Sequence, residues 1–162
     1  VRRGRKISDF AEYEHLAALQ RIVASTPELS AEIGRDYLIK PDVTVGIRVS
    51  QTELRLHAAI PCKWTMRSDR VQNIRHEGVI LTRHRRGRQP HIMVVTMEPL
   101  PSRLASIARG TGEVDAVYHV LFDELDAAVR AVGSQTQRQP WDELVGQRRI
   151  VPFDRMLPDL AF

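Results

Sequence analysis

From Leu54 onward, strand-like apolar runs alternate with segments whose apolar residues recur at helical spacing, and few folds accept that alternation. "LRLHAAIPCKW" reads as a strand. Leu54, Leu56, Ala58, Ile60 and Cys62 would share one face, and Arg55, His57, Ala59, Pro61 and Lys63 the other. Pro61 cannot donate to a sheet ladder, which assigns it to an edge or bulge. "SDRVQNIRHEGVILTRHR" reads as a helix with Ser68 or Asp69 near its N-cap and Val71, Ile74, Gly78 and Leu81 as its buried stripe. A strongly apolar strand over 91–97 follows, then a glycine-closed helix in "SRLASIARGTG", a strand or strand end in "EVDAVYHVLF", and a helix in "DELDAAVRAVG". Such repetition implies an α/β class: a mixed sheet with helices on its faces.

The first third is less regular. "SDFAEYEHLAALQRIVAS" predicts a helix with Ser8 as N-cap, which leaves Glu12 and Glu14 as surface residues. "TPELSAEIGRDY" predicts a short helix stopped near Gly34. In "YLIKPDVTVGIRV", Pro41 keeps Lys40 out of helix and the β-branched residues favour a strand, with a turn at "SQTE". The tail, "QPWDELVGQRRIVPFDRMLPDLAF", carries three prolines and mixed signals.

The 162 residues suit one domain with a substantial core, and the hydrophobic content of 43% separates the chain from disordered sequences. A net charge of +4 is compatible with an anionic partner such as nucleic acid. One cysteine excludes an internal disulfide and suits a reducing compartment. No apolar run approaches the roughly 20 residues of a membrane span, and the basic opening "VRRGRK" has no apolar region behind it to make a secretory signal. The chain also starts without methionine, as a fragment would.

Three residues could assemble a reaction centre. Asp42 follows Pro41 at the start of one strand, Lys63 closes the next, and Glu77 lies on the helix after it. Glu77 is seven residues past Arg70, close to two helical turns, and borders the stripe of Ile74 and Leu81, so it could point toward the sheet. Two close carboxylates can hold a hard cation such as Mg²⁺, and a neighbouring ammonium can position a water and stabilise charge at phosphorus. The plainer reading has a Pro-Asp turn, a lysine reaching solvent and a glutamate on a solvated face. Arg67, Asp69 and Arg70, at a helix N-terminus, could read adjacent G·C pairs, arginine on guanine and aspartate on cytosine; a surface salt-bridge cluster would look the same.

Other features carry less. His57, His76, His84, His91 and His119 fit no zinc spacing, and Cys62 has no neighbouring base to make it a nucleophile. "RHRRGR" at 83–88 could track a phosphate backbone or be a solvated loop. "RGTGEVD" lacks the lysine of a nucleotide-binding loop, and "DELDAAVRAV" is an amphipathic packing helix.

"KPDVTVG", "CKWTMRSDRVQNIRHEG", "PHIMVVTMEPLPSRLASIARGTGEVDAVYH" and "LPDLAF" resemble the NgoMIV-like type II restriction endonucleases, of the PD-(D/E)XK nuclease superfamily. The likeness runs from about Ser8 to Phe162 in one order. It implies a restriction-endonuclease-like mixed sheet flanked by helices, with residues 1–162 forming a single catalytic and DNA-binding core that lacks the family's N-terminal region. It implies Asp42 as a metal-binding aspartate, Cys62 as a metal ligand through its backbone carbonyl, Lys63 as the catalytic lysine, and Glu77 as the displaced acid contributed by the helix. Arg67, Asp69 and Arg70 would read a CCGG core. The implied activity is Mg²⁺-dependent cleavage of double-stranded DNA at a palindrome such as GCCGGC, leaving 5′-phosphate ends, in a restriction-modification system. Homodimers would bind the DNA and pair into homotetramers. Two departures stand out: Pro61 replaces the family's usual serine, and the interval from Asp42 to Lys63 is shorter, as if a loop after Ile47 were missing. With these, a DNA-binding protein that has lost cleavage is the alternative.

Overall fold

The computed structural model describes residues 1–33, 37–110 and 112–161. Its centre is a twisted sheet. A two-residue edge strand β1 (Arg2–Arg3) pairs antiparallel with β2 (Val43–Arg48), and β2 with β3 (Leu54–Ile60). Beyond them β5 (His91–Thr96), β6 (Ala116–His119) and β7 (Ile150–Pro152) follow in parallel, and β4 (Cys62–Lys63) continues β3 beside β5.

The crossovers are α3 (Ser68–His84), α4 (Pro101–Ala108), and the pair α5 (Phe122–Val132) and α6 (Gln135–Gly146). Each new parallel strand is added on the same side of the last. Right-handed connections then place every crossover helix on one face. The core has that arrangement: Ile74, Leu81, Leu104, Ile107, Trp141 and Leu144 pack in one cluster with Ile92, Val94, Val117 and Ile150 of the sheet. The α1 helix (Glu14–Ser25), followed by α2 (Pro27–Ile33), adds Leu16 to the same cluster. The opposite face holds Ala58, Ile60, Met93 and Tyr118, covered by Met156 and Leu160 of the five-residue α7 (Met156–Leu160). The mixed α/β sheet expected from the alternation is present, with its helices gathered mainly on one side.

The expected common face of β3 is corrected. Leu54, Leu56 and Ala59 pack with the helices, whereas Ala58 and Ile60 belong to the opposite cluster. The pairing with β2 slips between Val45↔Ala58 and Gly46↔Leu56, and one extra residue exchanges the two faces of a strand. Beside this irregularity the Leu56 N–H donates to Glu12 Oε2 at 3.1 Å. Glu12, expected at the surface, is therefore buried, while Glu14 is exposed.

Pro61 interrupts the strand without shifting it. Its carbonyl accepts the Val95 N–H at 2.9 Å, and pairing resumes with Cys62 opposite Val95 and Lys63 opposite Thr96. The segment before α1 forms two 3₁₀ turns, Ile7–Asp9 and Ala11–Tyr13, so the α-helix starts later than the periodicity predicts. Gly34, the expected stop of α2, lies outside the described residues. No helix among the described residues is long and apolar enough to cross a membrane.

Candidate active site

Asp42 precedes the first paired residue of β2, and the chain there faces the break between β3 and β4. Cys62 turns its N–H past the end of β2, and Asp42 Oδ2 accepts it at 2.8 Å. The same oxygen accepts Lys63 Nζ at 2.6 Å. With the side chains 42% and 22% exposed, the ion pair adds little stability; its consequence is position, since one carboxylate fixes the lysine against the strand end.

Glu77 approaches from α3. Val71, Ile74, Gly78 and Leu81 are buried as expected, which turns this side of the helix inward. Gly78 lets α3 come close: an added Cβ would lie 2.8 Å from Glu113 Cβ and 3.0 Å from its carbonyl oxygen. Glu77 Oε2 is buried without a hydrogen-bond partner. Burial pushes the Glu77 carboxyl above the ordinary glutamate range; the Lys63 charge pulls it down and the Asp42 charge pushes it up. These couplings bring Asp42, Lys63 and Glu77 into one electrostatic unit.

The donor set suits a hard divalent cation. A buried carboxylate oxygen without a partner, beside a second carboxylate, is the kind of group such an ion satisfies. Among the described residues no group of three or more His, Cys, Asp or Glu side chains is gathered to hold a metal. A cation held by Asp42 and Glu77 would complete its shell with backbone carbonyl, water and phosphate oxygens. Burial, and then the Asp42 charge, push the Cys62 thiol upward, with Lys63 and Arg3 opposing. A neutral thiol is neither nucleophile nor ligand, so a contribution from Cys62 would come through its backbone.

A pH dependence follows. Because the Glu77 carboxyl titrates above its unfolded value, the metal-free folded state holds its proton longer, and its stability falls as pH rises through that window. Cation binding needs the carboxylate, so affinity for Mn²⁺ or Mg²⁺ should fall as pH drops through the same window. Calorimetric titration across a pH series that starts at the ordinary glutamate range and rises to neutrality checks this. Flat affinity, or a Glu77→Gln variant with unchanged affinity, would remove Glu77 from the metal.

Beyond Lys63 the chain turns at Trp64 and Thr65 and enters α3. Arg67 and Asp69 are exposed, 63% and 67% by side chain, and 3.9 Å apart. That is a loose contact which leaves both heads available. Arg70 is half-buried and held: Nη1 donates to Thr65 Oγ1 at 2.8 Å and to the Thr65 carbonyl at 3.2 Å. An open groove of about 740 Å³ between α3 and α4 begins at Met66 and Arg67 and is lined further by Ser68, Gln72, Arg75 and Arg103. Asp42, Lys63 and Glu77 lie outside it.

Two residues that the sequence reading passed over shape this region. Glu98 is fully buried; Oε2 accepts the Met66 N–H at 2.6 Å and Oε1 the Leu100 N–H at 3.0 Å, tying the segment before Arg67 to the start of α4. Arg103 lies 3.7 Å from the same carboxylate. Burial lowers the His119 pKa, and its Nε2 donates to the Glu98 carbonyl at 3.0 Å. A glutamate just past an apolar strand, "VVTME", was the available signal. Trp64 stands 70% exposed between Lys63 and Arg67. The basic run 83–88, by contrast, begins at the far end of the 17-residue α3, roughly 20–25 Å from Arg67, Asp69 and Arg70.

Comparison with known proteins identifies the family. The family model described as "NgoMIV restriction enzyme" matches residues 1–55 and 45–162. The two matches overlap in the β2–β3 hairpin, where the shortened loop was expected. Type II restriction enzyme NgoMIV of Neisseria gonorrhoeae is 39% identical over 182 aligned positions, covering 96% of this chain. The chain spans 64% of that relative's length. The chain therefore belongs to the NgoMIV restriction enzyme family, and its mixed sheet with flanking helices is restriction-endonuclease-like.

Proposed function

We propose that residues 1–162 are the catalytic and DNA-binding core of a type II restriction endonuclease that cuts double-stranded DNA at a palindrome with a CCGG core, such as GCCGGC. The observation that carries this reading is the single Asp42 oxygen that holds both Lys63 Nζ and the Cys62 N–H, with a buried, partnerless Glu77 oxygen on the helix that follows, whose carboxyl feels both charges. Family membership supports it. The site of action would be the bacterial cytoplasm, and the acting species a homodimer or a tetramer of paired dimers.

In this reading Asp42 and Glu77, with the Cys62 carbonyl, would hold Mg²⁺. When bound, the ion would supply a more acidic water and offset charge on the phosphate. Lys63, steered by Asp42, orients the attacking water and offsets negative charge at the pentavalent phosphorus. Water oxygen bonds to phosphorus as the bond to O3′ breaks in line, leaving a 5′-phosphate and a 3′-hydroxyl. Arg67 and Arg70 take guanines and Asp69 a cytosine. Because Thr65 already holds Arg70, little side-chain freedom is lost on docking.

Gel shifts in Ca²⁺ and digests in Mg²⁺ test the two halves separately. Arg70→Ala should weaken binding to a CCGG duplex by roughly 10- to 100-fold, the effect of losing one bidentate base contact, and leave binding to a scrambled duplex nearly unchanged. Equal losses on both duplexes would count against Arg70 as a reader. Binding by the parent chain without any cutting in Mg²⁺ would favour the cleavage-defective alternative.

A further inference from the structure

The two basic runs of the sequence end in different places. The run 83–88 lies at the far end of α3, but "VRRGRK" lies at the candidate active site. Arg3 pairs with Val43 and Arg2 with Thr44, setting β1 beside the first residues of β2. The Gly4 N–H donates to the Asp42 carbonyl at 3.1 Å. Gly4 adopts φ 54°, and a Cβ there would lie 2.9 Å from Lys40 Cε, so the absent side chain makes room for the lysine. Arg2, Arg3, Arg5, Lys6 and Lys40 thus surround an open groove of about 610 Å³.

The charge balance of this groove is one-sided. Asp9 also lines it, and Arg5 pairs with it at 3.3 Å. Among the described residues, Arg2, Arg3, Lys6 and Lys40 have no carboxylate within 4.0 Å. Charge on an edge strand discourages edge-to-edge pairing, but that role does not require Lys6 and Lys40 to converge on the same groove. Convergent cations beside a phosphodiester-cutting centre match the spaced negative charge of a nucleic-acid backbone.

We propose that this groove seats the DNA phosphates flanking the one that is cut, with Arg2, Arg3, Lys6 and Lys40 as sequence-independent contacts. The proposal rests on the nuclease reading above. The four side chains set how much of the binding free energy comes from counterion release, and they carry no base information.

The test is a fourfold variant of the full chain, Arg2→Gln, Arg3→Gln, Lys6→Gln and Lys40→Gln, with its melting temperature checked against the parent. Affinity for a CCGG duplex and for a scrambled duplex is measured in Ca²⁺ between about 50 and 200 mM salt, the range over which phosphate contacts dominate. The salt slope of log K should become shallower by about 3.6, at roughly 0.9 per lost contact, with both duplexes weakened alike. Arg83→Gln with Arg86→Gln, at the far end of α3, should leave the slope as in the parent. A fourfold variant with the parent's slope overturns the proposal, as does an equal change in the far-end variant. A parent chain that binds neither duplex overturns the nuclease reading instead.

Discussion

Asp42→Asn should reduce DNA cleavage by at least ~10³-fold, the scale expected when a metal-holding carboxylate is lost, while CCGG binding persists. Asparagine keeps the volume and one acceptor oxygen, so the Cys62 N–H at 2.8 Å can stay paired. What disappears is charge. Lys63 Nζ loses its ion pair at 2.6 Å and with it a fixed direction, and the candidate cation site loses one of its two carboxylates. Glu77 loses a repelling neighbour, so its carboxyl should titrate lower than in the parent. Folding should change by less than about 1 kcal/mol, because the pair is partly exposed. Arg67, Asp69 and Arg70 are untouched. Single-turnover cleavage beside gel shifts separates these effects, and cleavage within about tenfold of the parent would contradict the assignment.

Glu98→Ala should have the largest effect on stability. The carboxylate is fully buried and accepts two backbone N–H groups, at 2.6 and 3.0 Å. Truncation leaves the Met66 and Leu100 donors without it, for a loss of about 3–5 kcal/mol. Glu98→Gln keeps one acceptor oxygen but turns an NH₂ toward the other donor, so an intermediate loss of about 1–3 kcal/mol is expected. Met66 is adjacent to Arg67 and three residues from Lys63, so slack at this point moves both together. Chemical denaturation measures the first effect, and the ratio of affinities for CCGG and scrambled duplexes measures the second. A stability loss under about 1 kcal/mol for Glu98→Ala would show that the two N–H groups find other partners.

Much of this organisation was legible in the chain. Alternating patterns from Leu54 define the parallel half of the sheet, because buried strands and amphipathic crossovers leave different periods. The meeting of Asp42 with Lys63 follows from two adjacent strands, and the inward stripe of α3 places Glu77. Residues joined only through tertiary contact were not legible. The face exchange in β3 comes from a slip against β2 that no alternation within β3 reveals. Glu12 looked like one more exposed helix position until Leu56 presented an N–H to it. Nothing local singles out Glu98, because its partners come from the segment before α3 and the start of α4. The missed helix α6 has a local cause: Pro140 suggests a break, yet Ser134 and Gln137 mark a start, with the Gln137 side chain accepting the Ser134 N–H at 3.3 Å.

The central claim is that Asp42, Lys63 and Glu77 cut the same duplex that Arg67, Asp69 and Arg70 read. An end-labelled duplex with one central CCGG, incubated with the full chain and Mg²⁺ and resolved at single-nucleotide length, tests it most directly. The expected result is a cut at one fixed phosphate on each strand, related by the palindrome's two-fold axis, with 5′-phosphate and 3′-hydroxyl ends. Lys63→Ala should give no product. Cuts scattered independently of CCGG, 5′-hydroxyl ends, or equal cutting by Lys63→Ala would contradict it.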